Sequence, residues 1–167
     1  MQNEIFLIKI SGEDKPGLTS AITAILAENN INILDMGQAV IHNTLSLGIL
    51  AEIPVEANSN RSVLKDLLFK AYTLQIHIDF EVITPESYAD WVNLQGKDRY
   101  IITMLAEKIT AQQISEVTEI IYKQGLNIDL ITRLSGRVPL SDLNTHQHTR
   151  ACIELSVRGK PNDTQQV

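Results

Sequence analysis

With a single cysteine, Cys152, among its 167 residues, the chain can form no intrachain disulfide. The setting Ala151-Cys152-Ile153 is that of a strand interior, where a thiol packs as a small hydrophobe. Aromatic residues are scarce at 5%, so aliphatic side chains must build the core. Basic residues are outnumbered, 14 against 20 acidic ones, and they are scattered. The resulting net charge of -6 disfavours a nucleic-acid backbone or an anionic membrane as partner, but not a small zwitterion. No apolar run approaches the roughly 18 residues of a membrane span. The start Met1-Gln2-Asn3-Glu4 lacks the basic residues of a secretory signal, so a cytoplasmic location is expected.

Catalytic and metal-binding patterns are missing too. There is no Gly-x-x-x-x-Gly-Lys-Ser phosphate loop. His146-Gln147-His148 lies in a polar stretch with no third ligand at suitable spacing, so it reads as solvated loop. His42 falls in a turn and His77 at a strand start, neither beside a nucleophile. Glu52 and Glu56 flank a strand end at Pro54, which does not suit a catalytic carboxylate pair. No catalytic residue and no metal site is assigned to this segment.

What is present is a repeat. Sliding the sequence by 95 positions aligns apolar positions without a gap. Ile5-Phe6-Leu7-Ile8 falls on Tyr100-Ile101-Ile102-Thr103, and Ile22, Ile25 and Leu26 fall on Val117, Ile120 and Ile121. Ile31-Asn32-Ile33 falls on Leu126-Asn127-Ile128.

The first unit, residues 1–84, reads as strand 4–10, helix 16–29, strands 32–41 and 44–53, helix 60–74 and strand 76–83. His42-Asn43 has the two-residue spacing of a hairpin, and Asn29-Asn30 is a helix stop. The order βαββαβ, with two helices on one face of four strands, predicts an α+β ferredoxin-like sandwich. Residues 85–97 read as a short helical linker in which Trp91 packs against one of the units. The second unit, 98–167, repeats strand 98–105, helix 110–124, strand 127–136 and, after a longer polar connection, strand 150–158. The offset places its second helix near Asp163, just before the sequence stops at Val167. The second unit is therefore expected to lack its last helix and strand, as if cut from a longer protein.

The segment most suggestive of chemistry is Ser11-Gly12-Glu13-Asp14-Lys15-Pro16-Gly17-Leu18, where a strand gives way to a helix. Pro16 suits the first helical position, and Gly17 permits close approach to the backbone. First-turn N–H groups suit a carboxylate, and Asp14 could hold an ammonium group or could cap the helix. The loop is a plausible seat for a free α-amino acid.

Asp14-Lys15-Pro16-Gly17-Leu18 followed by a helix and Ile31-Asn32-Ile33 resembles the ACT family of amino-acid-sensing domains. The run from Ile33 to Leu50, with Arg133-Leu134-Ser135-Gly136-Arg137 and Arg150-Ala151-Cys152-Ile153-Glu154, is similar to the amino-terminal regulatory part of phosphoserine phosphatases with two ACT domains. The resemblance implies ligand contacts at Asp14, Gly17, Leu18 and Asn32, L-serine as ligand and a site between two domains, while the sheet edges that the missing strand would leave open lead to the expectation of a homodimer. It implies a haloacid-dehalogenase-type catalytic domain with bound magnesium elsewhere in the parent protein, since no Asp-x-Asp-x-Thr motif occurs here. Some related serine sensors have Asn in place of Asp14. The second unit places Ile109, Ala111 and Gln112 where the first has Asp14, Pro16 and Gly17, so it is expected to be mainly structural. A free-standing regulator and a module that only dimerises stay open as alternatives.

Overall fold

A computed structural model describes residues 3–54, 59–96, 98–137 and 150–160. The chain divides into two compact units, Met1–Asp90 and Trp91–Val167. The first contains β1 (Asn3–Glu13), α1 (Leu18–Glu28), β2 (Asn32–Ile41), β3 (Thr44–Pro54), α2 (Ser59–Leu74) and β4 (His77–Ile83). A helix, α3 (Pro85–Gln95), leads on to β5 (Arg99–Ala106), α4 (Ala111–Lys123), β6 (Asn127–Arg133) and β7 (Ala151–Arg158).

In the first unit the strands lie in the order β2-β3-β1-β4, all neighbours antiparallel. This is the ferredoxin-like sheet that the βαββαβ order predicts. Strand alternation delivers Phe6, Ile8 and Ile10 from β1 and Leu45, Leu47, Ile49, Ala51 and Ile53 from β3 to one buried face. Helical spacing brings Leu18, Ile22, Ile25 and Leu26 from α1 and Val63 and Leu67 from α2 onto that face. Each such aliphatic burial contributes roughly 1.5–3 kcal/mol, so these few elements hold most of the unit's stability.

The first strand runs further than its sequence suggests. Expected to stop at Ile10, it pairs with β3 as far as Glu13 opposite Thr44. Gly12 permits this, because a Cβ there would stand 2.8 Å from Ile76 Cγ2. On β4, Ile78 and Phe80 pack on the core, whereas Val82, two residues further on, is exposed.

Three helices end alike. Asn30, Gln75 and Gly125 take positive φ values after α1, α2 and α4. The following N–H groups of Ile31, Ile76 and Leu126 reach back to Leu26, Ala71 and Ile121, which satisfies carbonyls that the helix leaves open.

In the second unit the order is β5-β7-β6, again antiparallel, with α4 on one face. Ile121, Leu155 and Val157 are buried, flanked by Ile102, Met104, Val117, Leu126, Ile128 and Ile153. Both units carry a bulge one position into the second strand's ladder, at Leu34 and at Asp129, 95 positions apart.

The gapless offset does not carry burial over everywhere, since Ile25 is buried while Ile120, its counterpart on α4, is exposed. It aligns Ile8 with Thr103, yet Ile8 is buried while Thr103 is exposed, and Ile102 and Met104 face the helix instead. Helix α4 starts after Thr110, two positions earlier than the offset from Gly17 expects, so the shorter connection leaves β5 out of phase. With a side-chain period of two, a slip of one residue exchanges the faces. Residues 161–167, where the second helix is expected, and His146 and His148 lie outside the described residues.

Candidate functional site

The connection from β1 to α1 is a tight turn. The Leu18 N–H donates to the Lys15 carbonyl at 3.3 Å, and Gly17 has φ 84° and ψ -1°. Those angles, with Pro16 before them, define a type II turn over Lys15-Pro16-Gly17-Leu18. Gly17 is therefore the capping position and Leu18 the first helical residue, which corrects the expectation that Pro16 opens the helix.

Gly17 has no side chain with which to cap, and among the described residues no other side chain caps α1. Asp14 is thus not the helix cap that its position allowed. Its own N–H donates to the Asn43 carbonyl at 2.7 Å, tying the turn to the β2–β3 hairpin. Its carboxylate is exposed and, among the described residues, faces no ion-pair partner, because neighbouring Lys15 pairs with Glu13 at 3.4 Å. Space above Gly17 is open, as a Cβ there would meet nothing within 4 Å. Leu18, by contrast, is 3% exposed and its side chain belongs to the core. Only its backbone faces the turn.

One contact beside the turn was not marked by the sequence. Thr19 Oγ1, in the first turn of α1, donates to Gln38 Oε1 on β2 at 2.6 Å. It couples the helix start to the sheet edge. A lone Thr and a lone Gln nineteen residues apart carry no pattern that reveals this.

Asn32 stands elsewhere. Its Nδ2 donates to Glu52 Oε2 at 3.1 Å, at the end of the sheet where β1 begins. The Asp14 turn sits at the other end, beyond Glu13 and Thr44. The eight steps along β3 from Thr44 to Glu52 span about 27 Å at ~3.4 Å each. Asp14, Gly17 and Leu18 are brought together; Asn32 does not join them within one unit.

The second unit shows what a closed helix start looks like. The Thr110 side chain accepts from the Gln113 N–H at 3.3 Å, and the Gln113 side chain accepts from the Thr110 N–H at 2.9 Å. This capping box uses donors that α1 leaves available. Asn127 pairs across the ladder with Arg158, not with an acid as Asn32 does. Arg158 in turn holds Asp129, on the bulge, at 2.8 Å with little exposure of either side chain. Among the described residues no three His, Cys, Asp or Glu side chains converge as metal ligands.

The first unit is thus a ferredoxin-like sandwich with an open, glycine-led turn after its first strand. Residues 4–81 match the ACT domain family, and the chain belongs to that family. A 78-residue stretch is 32% identical to a UPF0237 protein of Clostridium perfringens, covering 46% of this chain and 83% of that one. Over 129 residues, 77% of the chain, it is 28% identical to the phosphoserine phosphatase SerB2 of Mycobacterium tuberculosis. The same length is 26% identical to a phosphoserine phosphatase of Streptomyces coelicolor. The chain spans about three-tenths of those phosphatases, 30% of each. Among solved structures, an unknown protein from Galdieria sulphuraria has a TM-score of 0.64 at 14% identity, covering 93% of this chain and 82% of that one. A candidate glycine cleavage system transcriptional repressor has a TM-score of 0.61 at 13% identity, covering 96% and 82%. At these identities the structures share the fold.

Proposed function

We propose that this chain is an amino-acid-sensing regulatory segment of a phosphoserine phosphatase, with free L-serine as its ligand. The observation that carries the reading is the uncapped start of α1 behind Gly17, next to the Asp14 carboxylate, which has no ion-pair partner among the described residues. The ligand's carboxylate lies against the first-turn N–H groups, where backbone dipoles favour negative charge. Its ammonium group lies against Asp14. Asn32, remote in its own unit, reaches such a ligand only from a second ACT unit, so the site is shared and the chain works as a homodimer. The 129-residue similarity to two phosphoserine phosphatases supports serine over other amino acids, as feedback on an enzyme that produces it. Magnesium in this reading belongs to a catalytic domain outside this segment, and the setting is cytoplasmic. Among the described residues no helix is long and apolar enough to cross a membrane.

Calorimetric titration with L-serine, glycine and L-phosphoserine tests the reading. Selective heat with L-serine supports it, and a hundredfold excess over Kd then adds about 2.7 kcal/mol of stability. No heat with any of the three sinks it. A free-standing regulator is the second reading. It is favoured by the match to the Clostridium perfringens protein, little of which lies outside the matched stretch.

A further inference from the structure

Helix α3 carries the chain out of the first unit, which ends at Asp90, and into the second, which starts at Trp91. None of its residues is buried, and Val92 and Leu94 are exposed. With no buried anchor, its last turn depends on weaker contacts for its place. One of these involves a charge. Arg158, at the end of β7, donates from Nη1 to Gln95 Oε1, and from Nη2 it holds Asp129 Oδ2 of β6 at 2.8 Å. Three elements of the second unit thus meet at one guanidinium, on a side chain that is 11% exposed.

The fold does not require this arrangement. In the first unit the residue across the ladder from Asn32, as Arg158 is from Asn127, is Glu52, and the bulge residue matching Asp129 is Leu34. The first sheet therefore forms with no guanidinium at that corner. In the second unit the ion pair is only half made. Arginine meets a carboxylate most strongly side-on, through Nε and the Nη on the same edge. Nη2 is that neighbour and holds Asp129, yet Nε has no partner among the described residues. Nε is already shut off from solvent, so only a movement of the groups around it can supply one. The planar, rigid fork makes the choice exclusive. Turning Nε onto Asp129 swings Nη1, on the far edge, away from Gln95.

We infer that Arg158 is a two-position clasp on the end of α3. In the closed position, that of the structure, it gives Nη1 to Gln95 and Nη2 to Asp129, and the last turn of α3 is held on β7. In the open position it gives Nε and Nη2 together to Asp129, and the end of α3 is released. The bond gained at Asp129 offsets the bond lost at Gln95, so the two positions lie close in free energy. A modest change at either partner then moves the population between them. The clasp acts on the segment through which the chain passes from one unit to the other, and it is independent of the amino-acid site proposed above.

The chain's one tryptophan reports on the clasp. Trp91 lies four residues before Gln95, on the same side of α3, and is half-buried. The test is acrylamide quenching of its fluorescence in the 167-residue chain, with hydrogen exchange at α3 and circular dichroism to check folding. Gln95 is exposed, so its variants should keep the fold. Gln95→Ala should shift the end of α3 towards release by about tenfold, seen as easier quenching and lost protection of the last-turn amides. Gln95→Glu, a charged acceptor, should do the reverse. Asp129→Asn draws two charged donors poorly and should also keep α3 held. Unchanged quenching and exchange in both Gln95 variants overturn the clasp. A rise with Gln95→Ala and no fall with Gln95→Glu leaves no open position to depopulate and overturns the two positions. They are overturned equally if Asp129→Asn loosens Trp91 as far as Gln95→Ala does, since the ion pair would then support the docking.

Discussion

Gly17 and Thr110 hold the same station, each the last residue before a helix, and differ in what they leave open. Thr110→Ala should cost about 1 kcal/mol of second-unit stability, read by denaturant titration, while leaving any L-serine response unchanged. Gly17 separates site from strain. Valine at φ 84° costs about 1–2 kcal/mol through backbone strain alone, although no atom crowds it. Gly17→Asn accepts that conformation, so loss of L-serine binding with an unchanged melting temperature would place the ligand at the turn. Gly12 behaves oppositely: Gly12→Val should destabilise the first unit through Ile76, with binding lost only as folding is lost. Pro16-Gly17 read in the sequence as the entry to the helix, but which residue capped it depended on the sign of one φ angle. Asp14 looked equally fit to cap or to bind until Gly17 took the capping position. The Thr19–Gln38 contact was illegible because it depends on how α1 lies on the sheet.

Among the elements, the open face of the first sheet has a titratable tie between strands. Lys9 on β1 meets Glu81 at 2.7 Å and Asp79 at 3.3 Å on β4. These hydrogen bonds, Glu81's first, hold the Lys9 ammonium above its usual range of 10.5. A raised folded-state value means the contribution is full below pH 10.5 and fades as pH rises through the raised value. Lys9→Met should therefore flatten the alkaline decline in stability, and a decline of unchanged steepness would mean the tie is solvated away. Strand and helix existence was legible from period and punctuation, as at His42-Asn43 and Asn29-Asn30. Phase was not: β5 is apolar on both faces, so its letters could not say which face meets α4.

The whole molecule joins a large core to a small one. Residues such as Ile8, Ile22, Ile49 and Leu67 make the first unit's core from both helices and the strands they cover, while the second unit buries Ile121, Leu155 and Val157 beneath α4. Little buried area means low local stability. Amides of β7 should exchange with deuterium faster than those of β3. Equal protection of the two strands would contradict this expectation. The duplication is visible in sequence through the apolar positions shared at the 95-residue offset, and the structure adds matching helix stops at Asn30 and Gly125 and matching bulges at Leu34 and Asp129.

The solitary Cys152 sits half-buried on β7, opposite Leu105 of β5. One thiol per chain means that a nitroxide label needs no background cysteines removed. A label at that position reports on the second unit alone, so the unmodified sequence already carries a probe of its less buried half.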